Sequence, residues 1–159
     1  MGAKGEALAK KFEAKAQEVT AVIEKLSDAD WKKVTSAEKW PVGVTAHHIA
    51  IAHAGLVGIV KTLADGKPGP SIQMDAIHQM NAKHAQDFAN VGKTETLALH
   101  KKNAAEAAAL LRGIGDDQLG RSAMVVAGAP AMSAEQLAGG LLCSHVDEHL
   151  GSIRATCGM

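Results

Sequence analysis

The run Leu137-Ala-Gly-Gly-Leu141-Leu-Cys-Ser-His145-Val-Asp-Glu-His149-Leu-Gly-Ser-Ile153 decides how this chain is read. Ser133 precedes it with Gln136 three residues on, the signature of a capping box at a helix start. Leu137, Leu141, His145, His149 and Ile153 then recur at every fourth position, and residues so spaced share one face of a helix. Three of the five are aliphatic, which predicts that this face is buried. The other two are imidazoles. A ring nitrogen buried without a partner costs about 1–3 kcal/mol, so two imidazoles one turn apart on a buried stripe predict something bound between them. A divalent metal suits that demand.

The composition agrees with a helical protein. Hydrophobic residues make up 47% of the 159 positions, yet aromatics only 3%, with no tyrosine. The apolar mass is therefore Ala, Leu, Val and Ile, which favours closely packed helices over a sheet sandwich. A chain of this length is expected to form one domain, 1–159. Seventeen Lys and Arg balance seventeen Asp and Glu, so no basic field invites nucleic acid. No stretch is read as a membrane span of roughly 20 apolar residues, and the N-terminal residues have no signal-peptide core. Cys143 and Cys157 are too few for a disulfide framework. A cytoplasmic protein with reduced thiols is the expectation.

The periodicity predicts four long helices. The first runs over residues 3–26, with Leu8, Phe12, Val19, Val22, Ile23 and Leu26 inward and its charges solvated. Ser27–Trp31 reads as a turn or a short helix. Trp40-Pro41 opens the second long helix, with Val44, His48, Ile51, Ala52, Leu56, Ile59 and Leu63 as its stripe, ending near Asp65-Gly66. His48 is in phase with that stripe; His47 and His53 are out of phase by about 100° and 140°. Ser71 is read as the cap of a polar helix through about Ala89. Thr94 is read as the cap of the next, to about Arg112, with Gly113 and Gly115 as stops. Asp116–Leu119 reads as another short turn, 120–132 reads as loop, and the opening run gives a helix over about 134–156. Gly55, Gly58, Gly139, Gly140 and Gly151 lie inside these helices, where close helix approach would account for them.

His48, His145 and His149 thus stand on buried stripes. Three neutral imidazoles with an open position match a catalytic metal site better than a closed structural one, and bundle interiors often house such sites. The HxxxH spacing is weak by itself in a chain with eight histidines. A core histidine bonded to a carbonyl is the competing reading.

The run Trp40-Pro-Val-Gly-Val-Thr-Ala-His-His48-Ile49 resembles the DinB-like (YfiT-like) superfamily signature, a tryptophan at a helix start with a histidine eight positions on. Met132–Leu137 followed by His145-x-x-x-His149-x-x-x-Ile153-Arg154 is similar to that family's closing helix. Pro41 stands where the family often has Ser or Thr, and His47 adjoins the expected ligand. The resemblance implies an all-α four-helix bundle, in a down-up-up-down-like arrangement with short extra helical turns. It implies zinc or nickel on His48, His145 and His149, and often a homodimer. It also implies relatives that act on small molecules as S-transferases and isomerases using low-molecular-weight thiols such as bacillithiol, mycothiol or glutathione.

An open-sided divalent ion deprotonates a bound thiol or lowers the pKa of bound water from about 15.7 towards 7. The expectation is therefore a metal-dependent S-transferase conjugating a low-molecular-weight thiol to an electrophile. A hydrolase on the same site is the alternative, and a non-catalytic metal-binding or interaction protein acting in stress response is the third reading. His78, Asn81 and His84 are read as the solvated face of a surface helix, although they could reach the mouth of the site. Asp75-x-x-His78 lacks the glutamates of a di-iron site. Cys143 is read as a packed thiol, and Trp31 and Trp40 as packing anchors. Arg154 is read as a surface arginine. Glu148 is nearer in phase than Asp147 to accept from a ligand imidazole, with a surface position as the plainer expectation.

Overall fold

The computed structural model describes residues 2–159. Its long helices are α1 (Ala3–Lys25), α3 (Val42–Ala64), α5 (Lys93–Arg112) and a closing helix in three parts. The closing helix starts as α7 (Ala134–Gln136), passes through a π-helical stretch (Leu137–Leu141) and continues as α8 (Leu142–Cys157). Between them lie α2 (Asp28–Lys32), α4 (Met74–Asp87) and α6 (Asp116–Leu119). A two-residue antiparallel pair, β1 (Ser122–Ala123) with β2 (Met132–Ser133), interrupts the segment read as loop.

The four long helices pack as a ring in which α5 and α8 each touch both α1 and α3. Cross-links fix their directions. Lys11 Nζ donates to Gly139 O, and Lys15 and Arg154 pair with Asp147 and Glu18 respectively, so α1 and the closing helix run parallel. Arg112, at the end of α5, grips Glu6 and Glu13 near the start of α1, while Lys101 reaches Glu24, so α5 opposes α1. The start of α3 meets the end of α8 through Val42, Ala46, Val146 and Ile153, so these two are antiparallel. The order is up-down-down-up, the arrangement the resemblance implies.

Two apolar clusters fill the bundle. One gathers Phe12, Val57, Val60, Leu63, Leu111, Leu119, Leu137 and Leu142; the other gathers Val19, Ile23, Leu26, Val42, Ile49, Val146, Leu150 and Ile153. Between them α3 and α5 contribute the buried polar residues His53, His100 and Asn103. Asn103 Nδ2 donates to Ala50 O at 2.9 Å, and His53 Nε2 lies 3.0 Å from His100 Nδ1.

Ser71 does not cap α4: its φ is +43° and Ile72 pairs with the 125–127 segment, which commits the backbone until Gln73. Gly92, not Thr94, is the residue before α5, and Thr96 Oγ1 donates back to Gly92 O at 2.8 Å. The stripe of α3 is rotated from the one expected. Ala46, Ile49, Ala50, His53, Val57, Val60 and Ala64 are buried, whereas Ile51, Leu56 and Ile59 are half-buried. By length and composition α3 could cross a membrane, contrary to the sequence reading, and 61% of its most apolar window is buried in the bundle. Of the five helical glycines expected to serve close approach, four do not. Only Gly139 has a neighbour, Leu8, where a methyl would sit; Gly55, Gly58, Gly140 and Gly151 face open space.

Candidate metal centre

The π-helical stretch decides how the closing helix presents its histidines. Leu142 N donates to Leu137 O, an i→i+5 bond that adds one residue to the turn. Each α-helical residue turns about 100°, so the stripe read straight through from Leu137 slips out of register. The buried side chains beyond it are Leu142, Cys143, Val146, Leu150 and Ile153, while Leu141, His145 and His149 are half-buried at the edge. The two imidazoles therefore flank the core instead of lying in it. That edge faces the second turn of α3, where His48 is buried.

Three rings meet there. His48 Nε2 and His145 Nε2 face each other at 2.9 Å. Ring centroids are 4.8 Å apart for His48–His149 and 4.5 Å for His145–His149. One ligand atom from each lies within 4.8 Å of the others. Nitrogens about 2.0–2.1 Å from a tetrahedral zinc ion stand about 3.3–3.4 Å apart, so the widest pair closes by about 1.4 Å and the His48–His145 pair opens by about 0.5 Å. Burial, and then the neighbouring histidines, push the His48 pKa down to about 3 and that of His145 down to about 4. Both rings are neutral near pH 7. One of the two facing nitrogens must then hold a proton that a cation could replace. The donor set fits a divalent ion of borderline softness.

A carboxylate that sequence reasoning missed completes the arrangement. Glu38 Oε1 accepts from His149 Nδ1 at 2.8 Å and Oε2 accepts from Ser152 Oγ at 2.6 Å. The loop before α3 places it: Thr35 N donates to Trp40 O, Lys39 N donates to Thr35 O, and Lys39 turns the chain with φ +63°. Burial alone would raise the Glu38 carboxyl. Hydrogen bonds from Ser152, Thr35 and His149 outweigh it and hold the group below its ordinary value. An ionised carboxylate only accepts, so His149 carries its proton on Nδ1 and a neutral ring leaves the Nε2 lone pair free. Such a partner is the usual companion of a metal-ligating histidine. Glu148, the residue considered for this part, is exposed.

A second group of rings stands beside the first. His84, expected on a solvated face, is the buried residue of α4. Its Nε2 lies 2.8 Å from His47 Nδ1, and Phe88 stacks on His47 with centroids 4.1 Å apart. Trp40 packs edge-on against His48 at 5.3 Å and near His84 at 6.1 Å. His47 is buried although out of phase with the expected stripe, because α4 covers that side of α3.

The remaining candidates lie apart from the site. Asp75 and His78 are exposed, and Asn81 is half-buried. Asp147 pairs with Lys15 at 2.8 Å and Arg154 with Glu18 at 3.6 Å. Cys143 is a buried thiol, as expected. Trp31 anchors packing: its Nε1 donates to Val91 O at 2.9 Å and its indole lies against Gly43.

Comparison with known proteins agrees with this architecture. No curated protein sequence matches the chain. A histidine-to-alanine mutant of the mycothiol-dependent maleylpyruvate isomerase superposes with a TM-score of 0.75 at 12% identity, covering 94% of this chain. The chain spans 60% of that isomerase's length. YfiT from Bacillus subtilis, a probable metal-dependent hydrolase with an unusual four-helix bundle topology, superposes with a TM-score of 0.71 at 17% identity. That match covers 97% of this chain and 87% of YfiT. At these identities the likeness is one of fold. The family model for the DinB superfamily matches residues 11–153, and the chain belongs to that superfamily.

Proposed function

We propose that the protein is a metal-dependent enzyme that conjugates a low-molecular-weight thiol to a small electrophile, with His48, His145 and His149 holding the metal. The observation that carries this reading is the meeting of three imidazoles at one point, with Glu38 fixing the tautomer of His149. A divalent ion held there, zinc or nickel by its donor set, supplies a lowered pKa to a thiol or water that reaches it. The chain's own part is positional. Glu38 and Ser152 hold His149 with its Nε2 lone pair inward. Trp40 screens His48 on one side. The half-buried edges of His145 and His149 leave an approach for a small molecule. The fold likeness to the mycothiol-dependent isomerase supports thiol chemistry, and the likeness to YfiT supports hydrolysis as the second reading.

The test begins with elemental analysis of untagged protein, which is expected to show about one divalent ion per chain. A panel of small thiols is then assayed with a halide or epoxide electrophile. Conjugation that needs both thiol and metal, and that is lost in His145→Ala, is the expected result. If no thiol accelerates the reaction beyond the His145→Ala variant, the transferase reading fails. Metal-dependent ester cleavage without thiol would establish the hydrolase. Metal bound with neither activity leaves a binding protein.

A further inference from the structure

Two buried ring nitrogens have no hydrogen-bond partner among the described residues, His48 Nδ1 and His84 Nδ1. They belong to adjacent rings on different helices, with centroids 5.5 Å apart. The histidine pairs that are hydrogen-bonded in this structure have centroids 4.8 to 5.1 Å apart. The His48–His84 centroids lie about 0.4 Å beyond that range.

The chemistry of the two atoms is complementary once a metal is bound. A neutral imidazole that gives Nε2 to a metal carries its proton on Nδ1, so His48 Nδ1 becomes a buried donor. His84 Nε2 faces His47 Nδ1 at 2.8 Å. If His84 donates there, its own Nδ1 is a bare lone pair. A donor lacking an acceptor then stands beside an acceptor lacking a donor, and burial makes each costly alone.

We propose that His84 is the positioning residue for His48: it accepts from His48 Nδ1–H through its own Nδ1 and donates through Nε2 to His47, tying α4 to the loaded metal centre. This rests on the metal-centre reading above. His48 then has an outer partner as His149 has in Glu38. His84 is the buried residue of α4, so the same bond clamps that helix to the bundle when metal binds.

The test uses zinc alone, titrated by chelator competition into the metal-free protein and three variants. His84→Asn keeps an acceptor near the Nδ1 position; His84→Gln keeps a group near Nε2 to reach His47 and loses the Nδ1 acceptor; His84→Ala loses both. The expected result is a 10–100-fold weaker zinc affinity for His84→Gln and His84→Ala, with His84→Asn within about threefold of the parent. Nitrogen-15 imidazole spectra of the zinc-loaded parent should show His84 protonated on Nε2. Hydrogen exchange along α4 should slow on adding zinc to the parent and not to His84→Gln. Equal affinity across the three variants, affinity kept by His84→Gln but lost by His84→Asn, or a His84 proton on Nδ1 would each overturn the proposal. In those cases the metal centre stands. A parent that binds no zinc would instead overturn the metal centre and this proposal together.

Discussion

Glu38 and His149 lie 111 positions apart in sequence and are joined by a hydrogen bond of 2.8 Å from His149 Nδ1 to Glu38 Oε1. The bond selects one tautomer of the ring and aims the other nitrogen at the imidazoles of His48 and His145. Removing such a partner typically lowers metal affinity 10–100-fold. Glu38→Ala is therefore expected to weaken zinc binding by that factor. Glu38→Gln, which can still accept but lacks the charge, should fall between Glu38→Ala and the parent. Chelator competition reads both; parent-like affinity in Glu38→Ala would remove Glu38 from the site.

The three imidazoles are not equivalent in their surroundings, but in the proposed centre each supplies a third of the donor set. His149→Ala should reduce bound metal to a small fraction of the parent after equal dialysis. His47→Ala, one position from His48 but paired with His84, should retain far more. Unchanged stoichiometry in His149→Ala, by elemental analysis, would count decisively against the assigned ligands.

The glycines of the helices separate by what surrounds them. A methyl at Gly151 meets open space in the middle of α8, so Gly151→Ala should raise stability by about 0.5–1 kcal/mol through lower unfolded-state entropy. A methyl at Gly43 would strike the Trp31 indole. Gly43→Ala should then destabilise by about 1–3 kcal/mol, as overpacking does. Urea denaturation of the metal-free proteins distinguishes the two signs.

These contrasts show which features local spacing can carry. The four long helices were legible because each has its own apolar repeat, and His145 with His149 was legible because i, i+4 neighbours share a face in any helix. The Ser133–Gln136 capping box forms as the sequence predicts, with Ser133 Oγ accepting from Gln136 N at 3.0 Å. The true stripe from Leu137 to Ile153 is not legible because one extra residue in a turn leaves no mark on a pattern counted in fours; the pair Gly139-Gly140 within that turn is the local hint. Glu38 was invisible because its partner is far away in the chain and its own neighbours form a turn. The burial of His84 escapes the sequence pattern for a related reason. Helix α4 mixes Ile77 and Met80 with many polar residues, and its single buried position is set by His47 and Phe88 rather than by its own periodicity.

The buried pair His53 and His100 makes stability depend on pH by itself. His100 Nε2 lies 2.9 Å from Ala16 O, which can only accept, so His100 donates there and its Nδ1 accepts from His53 Nε2–H at 3.0 Å. Burial, and then the nearby His100, push the His53 pKa down to about 3; burial lowers His100 as well. In the unfolded chain both return to about 6.5. Below that pH the unfolded state binds more protons than the folded one, so stability is complete above about 6.5 and falls as the pH drops towards 3. The slope for one fully affected ring is about 1.4 kcal/mol per pH unit. His53→Gln can still donate to His100 but cannot titrate. Urea midpoints of metal-free parent and His53→Gln, followed from pH 7 to 4, should converge as the pH falls, the variant losing stability more slowly by about that slope. Parallel curves would show that His53 does not stay neutral inside the bundle.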